Sequence, residues 1–393
     1  MKEKWIPPRI IIGNVATGDY YYHRPEIEEA IWFELEKGSH ILIAAPRRVG
    51  KTSLLRFLEK NPRLGFKLIF NSVQAIDSAS EFYSVVYNLI LTCLSQSNRY
   101  KNQLKKYLKS KKITEINLKG GIKFDDANFD YLKEIKSIIS DLDQKGEIIV
   151  LLIDELPEVL HTLHKNGKNE EALQILRNIR NWRQDDLFLK LKFVYSGSIG
   201  MQYITKSITG RISDLNDLAD VKFPPFSIDE AQKYIEWATE NATVKYDPKL
   251  KEYMLLKIQY LIPYFINLML DRIDSNAFKA NNPEITVADI DTAFFGIIKE
   301  NKYFDDWAQR LSDYLDVKEF SFVNRVLTYI SHNDRITIQN IYDFAMKFEY
   351  TDRYMSYIND LENDGYIVEM ERTYTFISPF LKEYWKRNNP VIL

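Results

Sequence analysis

One run of residues constrains this 393-residue chain more than any other: an apolar stretch followed by a short loop that ends in Gly50-Lys51-Thr52. The run begins at His40, and the amphipathic segment Lys51–Glu59 continues from its end. The pattern G-x-x-x-x-G-K-[S/T] between a strand and a helix makes a phosphate-binding loop, because its backbone N–H groups converge on an anion at the helix N-terminus. Ala45 stands where the first glycine is expected. Strand, loop and helix follow in the required order, which disfavours a chance occurrence of Gly-Lys-Thr.

The loop predicts a specific role for each of its central residues. Gly50 permits a close backbone approach, Lys51 is suited to bridge the β- and γ-phosphates of a nucleotide, and Thr52 is a candidate magnesium ligand. The candidate nucleotide-contacting residues of the loop are Ala45, Pro46, Arg47, Arg48, Val49, Gly50, Lys51, Thr52 and Ser53. We therefore expect the chain to bind ATP together with Mg²⁺.

A second motif supplies carboxylates. The apolar run Ile148–Ile153 is followed directly by Asp154 and Glu155, which fits a Walker B element that accompanies the Walker A loop. Asp154 is then expected to hold the magnesium ion and Glu155 to polarise the attacking water. The alternative is an exposed acidic turn after a buried strand. A phosphate loop on another parallel strand makes that alternative the weaker one, so the two motifs together predict ATP hydrolysis.

The first half of the sequence alternates short apolar runs with amphipathic stretches, which is typical of a parallel sheet covered by helices. The predicted strands are His40–Ala45, Phe66–Ser72, Glu147–Ile153, Lys190–Ser196 and Asp220–Phe223. The predicted helices between them are Lys51–Glu59, Ser80–Leu94, Asp130–Leu142 and Glu170–Arg183. We expect an α/β fold: a P-loop NTPase domain over residues 1–225 with a parallel five-stranded sheet.

Two further domains are predicted after Pro224-Pro225. Helical patterns indicate an all-helical lid over 226–310, and three helices with two alternating strands indicate a winged helix-turn-helix domain over 311–393. Its presumed recognition helix holds one basic residue against four acidic ones, namely Asp352, Asp360, Glu362 and Asp364. DNA binding relies on neutralising phosphates, so this helix favours protein docking or internal packing.

Charge and composition limit the classes of molecule that the chain is expected to bind. The net charge of -2 and the pI near 6.3 give no bulk argument for nucleic acid. A lysine-rich insert at about 98–125 is expected to be either a solvated helix with a hairpin or a contact surface for nucleic acid or a protein. The helix face of Arg177, Arg180 and Arg183 is predicted to be solvated. Cys93 is the only cysteine, and no apolar run reaches membrane-spanning length, so we expect a cytoplasmic protein without membrane contact.

The loop residues Ala45-Pro-Arg-Arg-Val-Gly-Lys-Thr-Ser53 resemble those of the prokaryotic archaeal-type ATPases, on the AAA-like and STAND side of the P-loop NTPases. The segment around Arg24 resembles the family's entry segment, which packs near the adenine. The resemblance implies a sensor 1 group at Ser198 and an arginine finger at Arg211. It also implies a lid proline at Pro263 that contacts base or sugar, although Leu261 replaces the glycine of the family's Gly-x-Pro motif.

These weaker assignments have structural alternatives. Ser198 is equally read as a turn cap, and Arg211 as a surface residue, since a finger requires a homo-oligomer. Function also stays open between three classes. The chain is an ATP-driven switch or motor, a slow-turnover scaffold gated by nucleotide, or a DNA-binding regulator. Glu155 favours hydrolysis, and the lack of an arginine at the expected lid position favours slow turnover.

Overall fold

A computed structural model describes residues 4–97, 100–110, 129–142, 146–197, 200–210 and 215–390. The chain divides into two compact units. The sheet unit comprises residues 23–45 and 51–223, and the helical unit comprises residues 1–22, 46–50 and 224–393. Within the described ranges, no helix combines the length and the apolar composition required to cross a lipid bilayer.

The sheet unit has the predicted α/β architecture. Its strands are β1 (His40–Ala44), β2 (Phe66–Ser72), β3 (Ile148–Asp154), β4 (Leu191–Gly197) and β5 (Leu218–Asp220). Its helices are α1 (Pro25–Glu36), α2 (Lys51–Lys60), α3 (Ala79–Gln96), α4 (Lys101–Ser110), α5 (Tyr131–Ser140), α6 (Leu156–Lys165), α7 (Asn169–Gln184) and α8 (Gly200–Thr209). All five strands are parallel, in the order β2-β3-β4-β1-β5. The five-stranded parallel sheet expected from the sequence is therefore confirmed.

The register of this sheet brings the carboxyl ends of the central strands together. Ala44 at the end of β1 pairs with Gly197, and Asp154 at the end of β3 lies between Ser72 on β2 and Ser196 on β4. β3 and β4 are buried along almost their whole length, which explains their continuous apolar sequences. Ligands of open α/β sheets bind at this edge.

The sheet unit differs from expectation in the bounds of its last strand and in three of its helices. The last strand is Leu218–Asp220 rather than Asp220–Phe223, because these three residues are the ones that pair with His40–Leu42 of β1. Helices α1, α6 and α8 were not predicted from the sequence. The Leu156-Pro157 start of α6 resembles a break, but proline is well suited to the first turn of a helix, where its missing N–H costs nothing.

The helical unit contains a second, smaller sheet. Its helices are α9 (Ile228–Thr239), α10 (Pro248–Ile258), α11 (Pro263–Ala280), α12 (Val287–Ile298), α13 (Asp305–Tyr314), α14 (Val317–Asn333), α15 (Ile338–Phe348), α16 (Tyr354–Asn363) and α17 (Pro379–Asn388). Its strands are β6 (Ile336–Thr337), β7 (Ile367–Met370) and β8 (Thr373–Phe376), in the antiparallel order β6-β8-β7. The sequence did not predict α13, α17 or β6. Phe265, Phe304 and Phe380 from three parts of this unit pack together in its core.

The lysine-rich insert is described only in part. Helix α4 buries Leu104 and Tyr107 and exposes its lysines. The Tyr107 hydroxyl donates to the buried Glu134 carboxylate on α5 at 2.6 Å, so α4 is anchored to the sheet unit. The predicted hairpin around Gly120-Gly121 lies outside the described residues.

Candidate nucleotide-binding site

The segment between β1 and α2 has the backbone of a tight loop. Gly50 has φ 108° and Arg48 has φ 65°, both in the region that favours glycine. Ala45 is not among the positive-φ residues, so its position does not require glycine. Its backbone N–H donates to the Gly197 carbonyl at 3.3 Å, and the residue is 1% exposed. The methyl group at the first position of the motif is therefore accommodated within the sheet unit.

Lys51 is the first residue of α2 and is buried. Its Nζ donates to the Ala45 carbonyl oxygen at 2.7 Å, which holds the ammonium group back over the start of the loop. A buried ammonium at a helix N-terminus places full and partial positive charges together. This arrangement suits the polyphosphate of a nucleotide.

Asp154 is the convergence point of three elements. Thr52 on α2 donates its Oγ1 to Asp154 Oδ2 at 2.6 Å, and Ser196 on β4 donates its Oγ to Asp154 Oδ1 at 2.5 Å. Asp154 is 2% exposed and Ser196 is fully buried. The two motifs singled out in the sequence therefore meet side chain to side chain.

Ser196 is the site residue that sequence reasoning missed. The polar group at the end of this strand was expected at Ser198, which lies outside the described residues. Ser196 lies within β4, one residue before the strand ends at Gly197. The apolar run indicates this strand, but the contact of Ser196 with Asp154 depends on the pairing of β4 with β3, which the sequence does not reveal.

Glu155 has an unusual backbone for its residue type. It has φ 61° and ψ 35°, in the left-handed region, and it caps helix α6. Its N–H donates to the Ser196 carbonyl at 2.8 Å, and its own carbonyl accepts from the N–H of Glu158 at 3.1 Å. Such conformations cost about 1–3 kcal/mol in non-glycine residues and cluster at functional sites. The strain at this position, next to Asp154, is consistent with a catalytic role.

The donor set around Asp154 fits a magnesium ion. One carboxylate and the Thr52 hydroxyl are hard oxygen ligands, which Mg²⁺ prefers. Throughout the described ranges, no group of three or more His, Cys, Asp or Glu residues is placed to hold a metal. Mg²⁺ commonly binds through one or two protein oxygens with water and substrate phosphates, so this sparse set suits magnesium delivered with a nucleotide.

Three residues predicted to contact the nucleotide lie outside the phosphate loop and the acidic strand end, namely Arg24, Pro263 and Arg211. Arg24 precedes α1 and is 8% exposed, with its guanidinium 5.2 Å from the centre of the Phe223 ring. Pro263 is the first residue of α11, and the Tyr264 ring next to it lies 4.1 Å from the Arg48 guanidinium within the helical unit. Arg211 lies outside the described residues.

The prediction of a solvated arginine face on α7 was wrong for Arg183. Its side chain is fully buried and makes two hydrogen bonds to Asp217, of 2.6 Å and 2.8 Å. The hydrogen bonds from Arg183 lower the pKa of Asp217 against the effect of burial. Arg177 is exposed as expected. The partner of Arg183 is distant in sequence, so helical spacing alone could not identify the pair.

Comparison with known proteins supports this description of the fold. The sequence matches the AAA-like domain family over residues 13–296. A comparison with curated protein sequences found no match. A Walker-type ATPase of Pyrococcus abyssi shares the fold at 16% identity, with a TM-score of 0.58 over 95% of this chain and 98% of that one. The ORC2 protein of Aeropyrum pernix, solved as ADPNP-ADP complexes, is 13% identical, with a TM-score of 0.54 over 98% of this chain and 96% of that one. The family match covers well over half of the sequence, and the chain therefore belongs to the AAA-like domain family.

Proposed function

We propose that this protein is a magnesium-dependent ATPase that acts as a nucleotide-driven conformational switch or motor. The observation that carries the proposal is the pair of hydrogen bonds from Thr52 and Ser196 to Asp154. They join the phosphate-loop helix and the acidic strand end, as phosphoryl-transfer chemistry requires. Membership in the AAA-like family and the fold shared with a Walker-type ATPase add support.

The proposed roles follow from charge and position. Lys51 and the loop N–H groups bind the phosphates, while Thr52 and Asp154 hold Mg²⁺, which neutralises charge on the phosphate oxygens when bound. The Glu155 carboxylate accepts a proton from the attacking water. Arg24 packs near the base, and Pro263 belongs to the lid.

The test separates binding from chemistry. Lys51→Ala is expected to abolish ATP binding, whereas Glu155→Gln is expected to retain binding and lose hydrolysis, because only the carboxylate can accept the proton. Affinity and turnover are measured on purified protein. Lys60→Ala on the same helix and Glu158→Gln one turn into α6 are matched controls. Unchanged turnover in Glu155→Gln would remove Glu155 as the base.

Assembly is part of the proposal through Arg211. An arginine finger that acts on a neighbouring subunit raises the rate of hydrolysis by roughly 10³–10⁵ where it is fully engaged. Arg211→Ala should then bind ATP but lose turnover that rises with protein concentration. Mixing it with Lys51→Ala protein should restore activity. A wild-type protein that stays monomeric with ATP, at constant turnover per monomer, contradicts the finger and leaves a single-subunit switch. In that case Arg211 keeps its structural interpretation.

The second candidate function is a slow-turnover scaffold gated by nucleotide, and the third is a DNA-binding regulator. We interpret 226–310 as a lid and 311–393 as a winged helix whose order of helices and strands suits either role. The acidic residues along Tyr354–Asn363, the observed extent of α16, favour a protein partner over DNA. Turnover measured with and without DNA, and mass measured in ATP and in ADP, discriminates among the three.

A further inference from the structure

The helical unit holds one residue of the phosphate-loop sequence by its side chain. The Arg48 guanidinium lies 4.1 Å from the centre of the Tyr264 ring and forms an ion pair with Asp306. Tyr264 is the second residue of α11, and Asp306 is the second residue of α13. The Arg48 side chain is 22% exposed, whereas that of Asp306 is 61% exposed. Tyr264 is 6% exposed, so the aromatic contact is the better shielded of the two.

The backbone conformation of Arg48 depends on these two contacts. Its φ of 65° is strained for arginine, and strained residues persist where the surroundings fix them. Without its two partners, Arg48 would be free to return to an ordinary backbone conformation. The positions of the N–H groups in the loop depend on this conformation.

A second contact packs against the phosphate loop. The turn after α16 contains Gly365, where an added Cβ atom would lie 3.2 Å from Pro46 Cβ. The next residue, Tyr366, is fully buried and donates its hydroxyl to the Trp307 carbonyl at 2.8 Å. Because Trp307 follows Asp306, the turn, helix α13 and loop residues 46–48 form one packed cluster within the helical unit.

We propose that Arg48, Tyr264 and Asp306 form a latch that fixes the phosphate-loop conformation and couples nucleotide binding to helix α13. The proposal rests on the proposed function, since it assigns a regulatory contact to the same loop. Asp306 and Tyr264 are positioning residues that act through Arg48. Coupling is reciprocal, so a latch that improves nucleotide affinity is itself strengthened by bound nucleotide.

The test uses the full-length chain and a fluorescent ADP analogue. Asp306→Asn is expected to weaken binding about twofold to fivefold, the range expected for loss of an exposed ion pair that orients an arginine held against an aromatic ring. Asp313→Asn removes the same charge from the same helix without altering the latch and should leave affinity unchanged. The double variant Arg48→Gln/Asp306→Asn should be no weaker than Arg48→Gln alone. Hydrogen exchange in 305–314 should slow on nucleotide binding in the wild type, and less in Asp306→Asn.

The outcomes distinguish the latch from the ATPase proposal. Equal or tighter binding by Asp306→Asn overturns the latch and leaves the proposed function intact. A wild-type protein that binds no nucleotide overturns the proposed function instead. In that case hydrogen exchange in 305–314 of the ligand-free Arg48→Gln protein tests whether the loop and helix α13 are physically coupled. Faster exchange than in wild type supports it, and identical exchange overturns it.

Discussion

Ser196→Ala tests how much the site depends on the hydroxyl group that hydrogen-bonds to Asp154. The substitution deletes a fully buried hydroxyl that donates to Asp154 Oδ1 at 2.5 Å. Hydrogen bonds to charged groups contribute about 1.5–3 kcal/mol, and a buried acceptor without its donor loses that amount. We expect the free energy of unfolding to fall by about 2 kcal/mol. Groups that orient a metal ligand typically change metal affinity about 10–100-fold, so the Mg²⁺ concentration for half-maximal turnover should rise by about tenfold.

The assay is a Mg²⁺ titration of ATP turnover, paired with urea unfolding without nucleotide. Ser72→Ala is the matched control, because Ser72 flanks Asp154 on the other neighbouring strand but is exposed. It should leave both measurements nearly unchanged. If Ser196→Ala shifts stability but leaves the Mg²⁺ dependence at the wild-type value, then Asp154 needs no orientation from β4. The reasoning that assigns Ser196 to the site would be refuted.

Two further predictions concern the loop and the sheet. Ala45→Gly should change nucleotide affinity by less than about twofold, because Ala45 has no positive φ and its N–H is already bonded to Gly197; a large gain in affinity would show that the methyl group impairs the loop. His40 is buried and its pKa is lowered to about 3, so the unfolded chain takes up its proton near pH 6.5 while the folded chain does not. Stability is therefore complete above pH 6.5 and should fall by about 2 kcal/mol at pH 5. Thermal unfolding at both pH values checks this, and a His40→Gln variant with the same pH dependence would contradict it.

The sequence could predict those parts of the site whose residues are adjacent to one another in the chain. Gly50-Lys51-Thr52 and Asp154-Glu155 each follow an apolar strand, and the structure brings Thr52 to Asp154. Parallel strands align their carboxyl ends, so two strand-end motifs are expected to meet even when they are about a hundred residues apart. The fold class follows from the same periodic signal.

Pairs that depend on distant parts of the chain could not be predicted. Arg183 has the helical spacing of an exposed residue, but Asp217 lies beside it only because β5 joins the edge of the sheet. The ion pair between Arg48 and Asp306 likewise joins segments that no local pattern connects. Helical periodicity indicates which side of a helix is apolar. It cannot indicate that a charged residue is buried against a partner that is distant in the sequence.

The two left-handed residues of the site show why local propensity fails at this location. Neither arginine nor glutamate favours positive φ, yet Arg48 and Glu155 both adopt it, at about 1–3 kcal/mol each. This cost must be offset by contacts that exist only in the folded chain. For Glu155 they include the backbone bond to the Ser196 carbonyl, and for Arg48 they include Tyr264 and Asp306. Ser196 therefore supports both acidic residues, Asp154 through its hydroxyl and Glu155 through its carbonyl. Substituting alanine removes only the first of these supports, so Ser196→Ala should impair Mg²⁺ binding while the backbone of Glu155 stays in place.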